Sequence, residues 1–344
     1  MKINYLKKGI ALTPVKFGIS FTATWFNQGG ALVHIYTDGS VTVNHGGTEM
    51  GQGLHTKVLG VITHELGVSF DKIKITDTDT SKIANTSATA ASSGSDLNGM
   101  AAYNAVKKIK KRLINYISNR YEVSTNHIKF KNNYIFIPDK ILPFHEIVKE
   151  AYLERIQLWD SGFYKTPKIH WDRNMARGKP FYYYSYGAAV SEVLIDTLTG
   201  EYEIRRVDIL HDVGKSLNKT IDMGQIEGGF IQGMGWLTCE ELFWGPDGAL
   251  KTHAPSTYKI PLASDRPDIF NIKIASWSRN LEKTIKRSKA VGEPPFMLAI
   301  SVHEAIQMAV ASVSDYKINP RLNAPATPEE VLSSIYNTQR ITQV

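Results

Sequence analysis

Glu293 stands in Ser288-Lys289-Ala290-Val291-Gly292-Glu293-Pro294-Pro295-Phe296, a carboxylate followed by two residues that fix φ and lack a backbone N–H. Such a stiff setting suits a general base, because proton abstraction needs the carboxylate held within hydrogen-bond reach of its target. The same residue just before a helix also suits a plain partner for the helix dipole. A second candidate is His45-Gly46-Gly47-Thr48-Glu49-Met50-Gly51-Gln52-Gly53, where four of nine residues are glycine and a helical pattern follows. A glycine loop feeding a helix N-terminus leaves backbone N–H groups open to an anionic or polar ligand, so a cofactor is expected there. Glycines that merely turn a corner fit the spacing equally well.

Two further stretches present backbone in the same way. Asn85-Thr86-Ser87-Ala88-Thr89-Ala90-Ala91-Ser92-Ser93-Gly94-Ser95 is rich in small hydroxylated residues and precedes a helix expected at 94–118. The other is a glycine-dotted helix through Asp222-Met223-Gly224-Gln225-Ile226-Glu227-Gly228-Gly229-Phe230-Ile231-Gln232-Gly233. Neither matches a common phosphate fingerprint. The first glycine loop lacks the Lys-Ser/Thr ending of a P-loop and has Thr56 where a dinucleotide loop needs its third glycine. Asp71 lies at roughly the right distance for a ribose contact but follows the helix instead of ending a second strand.

The elements that must position these residues are legible in outline. Ala31–Tyr36 and Val41–Val43 flank Asp38-Gly39, which reads as a type I′ hairpin turn. Leu54, Val58, Val61, Ile62 and Leu66 then recur at helical spacing up to Gly67, a C-cap. The order strand, turn, strand, helix returns over Tyr182–Ile195, Asp196–Gly200, Glu201–Leu210 and the helix through Gly224. The pattern predicts an α+β fold of duplicated two-layer α/β sandwich units, strand-hairpin-strand-helix, forming two lobes. The expected partition is a first lobe over 1–130, a connection over 131–180 that is irregular apart from one short helix near Phe144–Tyr152, and a second lobe over 181–344 that holds Glu293.

Composition narrows the class. The chain has 344 residues, 42% apolar and 21% charged, as ordinary globular proteins do. No apolar run reaches membrane-spanning length by inspection, and Met1–Lys8 lacks a signal-peptide core, so a cytoplasmic location is expected. The single cysteine, Cys239, cannot build a thiolate metal or iron–sulfur site alone, and His64-Glu65 and His303-Glu304 lack the second histidine of a zinc motif. The net charge of +7 gathers partly in Lys107–Arg112, which reads as a solvated helix face and not a nucleic-acid motif.

With these pieces assembled, the chain resembles the xanthine oxidase/aldehyde oxidase family, specifically the C-terminal half of the molybdenum-cofactor domain of xanthine dehydrogenases. The likeness runs from about Lys8 to Pro328-Glu329 through Lys16–Thr22, His45–Gly53, Thr89–Ser92, Gly224–Gly228, Pro255–Pro261 and Gly292–Pro295, in the family's order. The resemblance implies a molybdenum held by a pterin dithiolene and not by protein side chains, with the cofactor as molybdopterin or its cytosine dinucleotide form. It implies that Glu293 takes the proton from the oxygen nucleophile that attacks an electron-poor purine carbon. By the same likeness Phe21 packs on the purine with Thr22 beside it, and Ala90 and Ala91 are small so that substrate can approach. Met50, Gly51, Gln52, Thr89, Ala90, Ala91, Ser92 and Gln225 match cofactor-contacting positions.

The resemblance implies hydroxylation of hypoxanthine and xanthine to urate, since Ser20-Phe21-Thr22 and Glu293-Pro294-Pro295 look like the purine-oxidising branch. The alternatives are an aldehyde oxidase-type portion or a non-catalytic remnant. The family's N-terminal half, with a glutamate and an arginine that grip purine, is not found in these residues, nor are iron–sulfur or FAD segments. Those parts are expected on partner chains or missing segments, this chain is expected to be inactive without them, and a homodimer is compatible with the family. Neither nucleic acid nor membrane is expected as a partner.

Overall fold

The computed structural model describes residues 5–342. Strands β1 (Leu6–Ile19), β2 (Gln28–Ile35) and β3 (Val41–His45) precede helix α1 (Leu54–Leu66), strand β4 (Ile73–Ile75) and helix α2 (Gly94–Tyr121). Next come β5 (Lys129–Lys131), β6 (Tyr134–Ile137), β7 (Lys140–Pro143), α3 (Phe144–Leu153), β8 (Trp159–Lys165), β9 (His170–Asp172) and β10 (Arg177–Lys179). The chain then forms β11 (Tyr183–Asp196), β12 (Tyr202–His211), α4 (Lys219–Thr238), β13 (Ile269–Ile274), α5 (Pro294–Leu298), α6 (Ile300–Ala311) and α7 (Pro328–Thr342).

Local sequence chemistry explains the first hairpin and helix. Strand β3 alternates buried and half-buried residues, the period-2 pattern of a sheet with one face in a core. Its connection to β2 is not the expected type I′ turn. The Gly39 N–H donates to the Tyr36 carbonyl and only Gly39 is left-handed, at φ 82°, so a type I turn closes with a glycine bulge. The Asp38 carboxylate accepts from the Ser40 N–H and holds that loop. Helix α1 buries Leu54, Val58, Val61, Ile62 and Leu66 and stops at left-handed Gly67, as its spacing predicts.

Two four-stranded sheets repeat one topology. The first runs β4-β3-β2-β8 and the second β13-β12-β11-β1. In each, one outer pair is parallel and the remaining pairs are antiparallel. A long helix covers each sheet across its last two strands, α2 over β8 and β2, and α6 over β1 and β11. Matching glycines mark the two closest approaches. A Cβ on Gly162 of β8 would lie 1.9 Å from the Ala101 carbonyl oxygen of α2, and one on Gly9 of β1 would lie 1.9 Å from the Ala305 carbonyl oxygen of α6. Both helices therefore sit directly on strand backbone.

The expected partition does not follow these sheets and is corrected. Strand β1, within 1–130, pairs with β11 in the second sheet, whereas β8, within 131–180, pairs with β2 in the first. Within 131–158 the short expected helix is present as α3, but the residues before it are strands and not irregular, and Ile135, Ile137, Phe144 and Ile147 bury into the first core beside Val58 and Ile109. The second core joins Val193, Val207, Phe230, Val302 and Ile306. Lys108 and Arg112, read from sequence as a solvated face, both reach Asp160 of β8, at 3.2 and 2.7 Å, and fasten α2 to its sheet.

By length and composition, Pro294–Ser314 is apolar enough to cross a membrane, contrary to the expectation that no stretch is. Its apolarity has a local use, because Leu298, Val302, Ala305, Ile306 and Ala309 fill the second core.

Candidate functional site

A cavity of about 580 Å³ opens where the two cores meet, and it gathers loops that are far apart in sequence. Met50 and Gln52 enter from the glycine loop, Thr89, Ala90, Ala91 and Ser92 from the small-residue loop, Gln225 from α4, and Glu293 from the segment before α5. Gly51 lies on the same glycine loop but outside the wall. Phe21 and Thr22 are also outside it: the Phe21 backbone is held by Asn27 through bonds of 2.8 and 2.9 Å, and its ring packs edge-on against Phe26.

The glycine loop does not present free N–H groups as expected. The Glu49 carboxylate accepts from the N–H groups of Gly51, Gly53 and His55, each at 2.9 Å, and so fills the N-terminus of α1 from within. Partial burial pushes that carboxyl up, but the three donors outweigh it and hold it below its ordinary value. The Gln52 amide also turns inward, donating to the Thr48 carbonyl at 2.8 Å. The Thr48 N–H donates to Thr89 Oγ1 at 2.9 Å, which joins the two loops. The spacing Glu49-x-Gly51-x-Gly53 is the signal that could have revealed this self-capping.

Between Gln225 and Gln232 of α4 the cavity wall is bare at Gly228 and Gly229. Gly233 and Gly229 have a packing reason, since a Cβ would lie 2.3 Å from the Phe296 carbonyl oxygen and 3.1 Å from Pro295, respectively. Gly228, on the cavity, has none: a Cβ there would meet nothing within 4 Å. An interior helix glycine costs about 1 kcal/mol relative to alanine, so a glycine with open space before it fits a wall kept clear for a ligand. With amide side chains nearby and a carboxylate opposite, the residues suit a large polar cofactor.

Beneath the cavity lies a buried polar floor that the sequence reading missed. Lys57 of α1 pairs with Asp222 of α4 at 2.7 Å, both almost without solvent, and Ser216 Oγ donates to the same carboxylate at 2.6 Å. Asp96 of α2 accepts from the Tyr183 hydroxyl at 2.6 Å, and that hydroxyl accepts from the Ala290 N–H at 2.8 Å. Burial raises Asp96 to about 7, against the opposing pull of the Tyr183 hydrogen bond and the Lys57 charge.

That shift sets a pH dependence. The folded carboxyl keeps a proton that the unfolded chain releases near pH 4, so its contribution is fully present below about pH 4 and is lost as pH rises through about 7. Asp96→Asn keeps an acceptor for Tyr183 but cannot ionise. Denaturant unfolding at pH 4 and pH 7.5 should show the wild-type chain losing on the order of 2–4 kcal/mol relative to the variant over that interval. Parallel curves for the two chains would place the Asp96 titration elsewhere.

Comparison with known proteins gives concordant results. A model of the molybdopterin cofactor-binding domain matches residues 2–267. The chain is similar to xanthine dehydrogenase/oxidase of Felis catus, 46% identical over 331 residues, covering 94% of this chain and 23% of that protein. It is likewise similar to xanthine dehydrogenase of Oryza sativa subsp. japonica, 46% identical over 339 residues, covering 95% and 23%. In fold it is similar to quinoline 2-oxidoreductase from Pseudomonas putida 86, with a TM-score of 0.83, 22% identity, and coverage of 97% and 42%. The chain thus spans about a quarter of the length of these curated relatives.

Proposed function

From the premise that the chain belongs to the molybdopterin cofactor-binding family and, within it, to the xanthine dehydrogenases, we propose that its cavity holds molybdopterin and forms the base side of a purine-hydroxylating centre. When bound, the cofactor supplies a molybdenum able to take two electrons from the substrate. The remaining roles on this side of the centre fall to this chain's residues. Gln225 and the loops at 50–52 and 89–92 orient the pterin, and Ala90 and Ala91 keep the approach to the reacting carbon clear. Glu293 removes the proton from the attacking oxygen nucleophile.

One observation supports this reading above the others: Gln52, Ala91, Gln225 and Glu293 meet at a single cavity beside the uncrowded Gly228 wall. In this reading the purine also reaches Phe21 and Thr22, so the site extends beyond the cavity wall toward the bend after β1. The opposite grip on the purine, the iron–sulfur centres and the FAD belong to the remaining parts of the assembled enzyme.

Initial rates test the substrate class. With the assembled enzyme, xanthine and hypoxanthine should exceed simple aldehydes in kcat/KM by on the order of 10²-fold, because a site built to hydrogen-bond a purine strongly rejects a substrate lacking those groups. The chain by itself should form no urate. Equal or better use of aldehydes would assign the site to the aldehyde-oxidising branch.

A further inference from the structure

Ser92 matches a family position that contacts the cofactor, and on the same cavity its hydroxyl is engaged by Glu293. Ser92 Oγ donates to Glu293 Oε2 at 2.8 Å and accepts from the Glu293 backbone N–H, also at 2.8 Å. We infer that Ser92 is a positioning residue that fixes the Glu293 carboxylate by holding the backbone and the side chain of Glu293 with one hydroxyl.

Three features of the local backbone favour this use. Ala91 and Ser92 are both left-handed, at φ 52° and 54°, an uncommon conformation for two consecutive residues with side chains. Such strain persists where the surroundings over-determine it, and here it aims the hydroxyl at Glu293. Gly292 leaves room for that hydroxyl, since a Cβ at 292 would lie 3.1 Å from Ser92 Oγ. Pro294 and Pro295 stiffen the chain on the far side. A glutamate has three side-chain torsions, and the clamp ties its first backbone atom to its last side-chain atom, so few combinations satisfy both bonds. A carboxylate held this way is aligned for proton abstraction before substrate arrives.

The inference rests on Glu293 being the base, and its test separates the two. Amide hydrogen exchange at Glu293 is read first, on the chain itself. Ser92→Ala removes the acceptor, and exchange of that one amide should rise about tenfold while exchange elsewhere in the chain stays near wild type. In the assembled enzyme Ser92→Ala should then lower kcat about 10- to 100-fold with KM within about twofold. If Ser92→Ala fails to fold, Gly292→Ala crowds the same hydroxyl from the other side and should give the same faster exchange and lower kcat. Unchanged exchange in Ser92→Ala would overturn the clamp. Faster exchange with kcat intact, while Glu293→Gln abolishes turnover, would leave the base in place and overturn the positioning role. If Glu293→Gln itself turns over normally, the base reading fails and the inference falls with it.

Discussion

Glu293→Gln should slow reduction of the assembled enzyme by xanthine about 10²- to 10⁴-fold while purine binding survives. The substitution keeps the size of the side chain and still offers Ser92 Oγ an oxygen acceptor in place of Glu293 Oε2. What it loses is the ability to take a proton. In the competing account Glu293 serves only the start of α5, a helix of five residues for which it makes no side-chain cap. That role predicts a stability loss of at most about 1 kcal/mol and a normal rate of reduction. Rapid-mixing kinetics with xanthine, set beside melting temperatures, distinguish the accounts, because only one of the two quantities should move strongly.

Lys57→Met should destabilise the chain by about 3–5 kcal/mol, since it leaves the almost fully buried Asp222 carboxylate without its counter-charge. The Lys57 and Asp222 side chains retain only 9% and 4% of their exposure, and they join α1 of the first core to α4 of the second. The Coulomb gain of the intact pair is largely cancelled by desolvation, so the loss measures an abandoned charge more than the worth of a salt bridge. Lys57→Met/Asp222→Leu should therefore recover most of the stability. Urea unfolding of the single and double variants gives the coupling directly, and an additive double variant would mean the two charges are solvated independently.

Local periodicity made some of these features legible and could not reach others. Helix α1 was readable because Leu54 to Leu66 follow one face and Gly67 ends it. The gathering of Gln52, Ala91, Gln225 and Glu293 was implied only by resemblance, since no local pattern places residues from four segments together. The partners of β1 and β8 were hidden for the same reason: β1 meets β11 in the register Leu6 to Asp196, and pairing over such distances leaves no local signature. Lys57 and Asp222 each read as an ordinary polar residue on a helix, and only the packing of α1 against α4 makes them a buried pair. The glycine loop misled in a specific way, because counting free N–H groups ignored the carboxylate of Glu49 four residues upstream of the α1 N-cap glycine, Gly53.

The claim that this cavity is the cofactor site is tested most directly by molybdenum and pterin content in Gly228→Leu. Leucine is the better helix former by roughly 0.8–1 kcal/mol and meets no neighbour at its Cβ, so the variant should fold and assemble at least as well as wild type. It would, however, project into the cavity that Gln52, Gln225 and Glu293 line. The wild-type enzyme should hold about one molybdenum and one pterin per chain, and the folded, assembled variant less than about a tenth of that. Full molybdenum and pterin in Gly228→Leu would contradict the assignment.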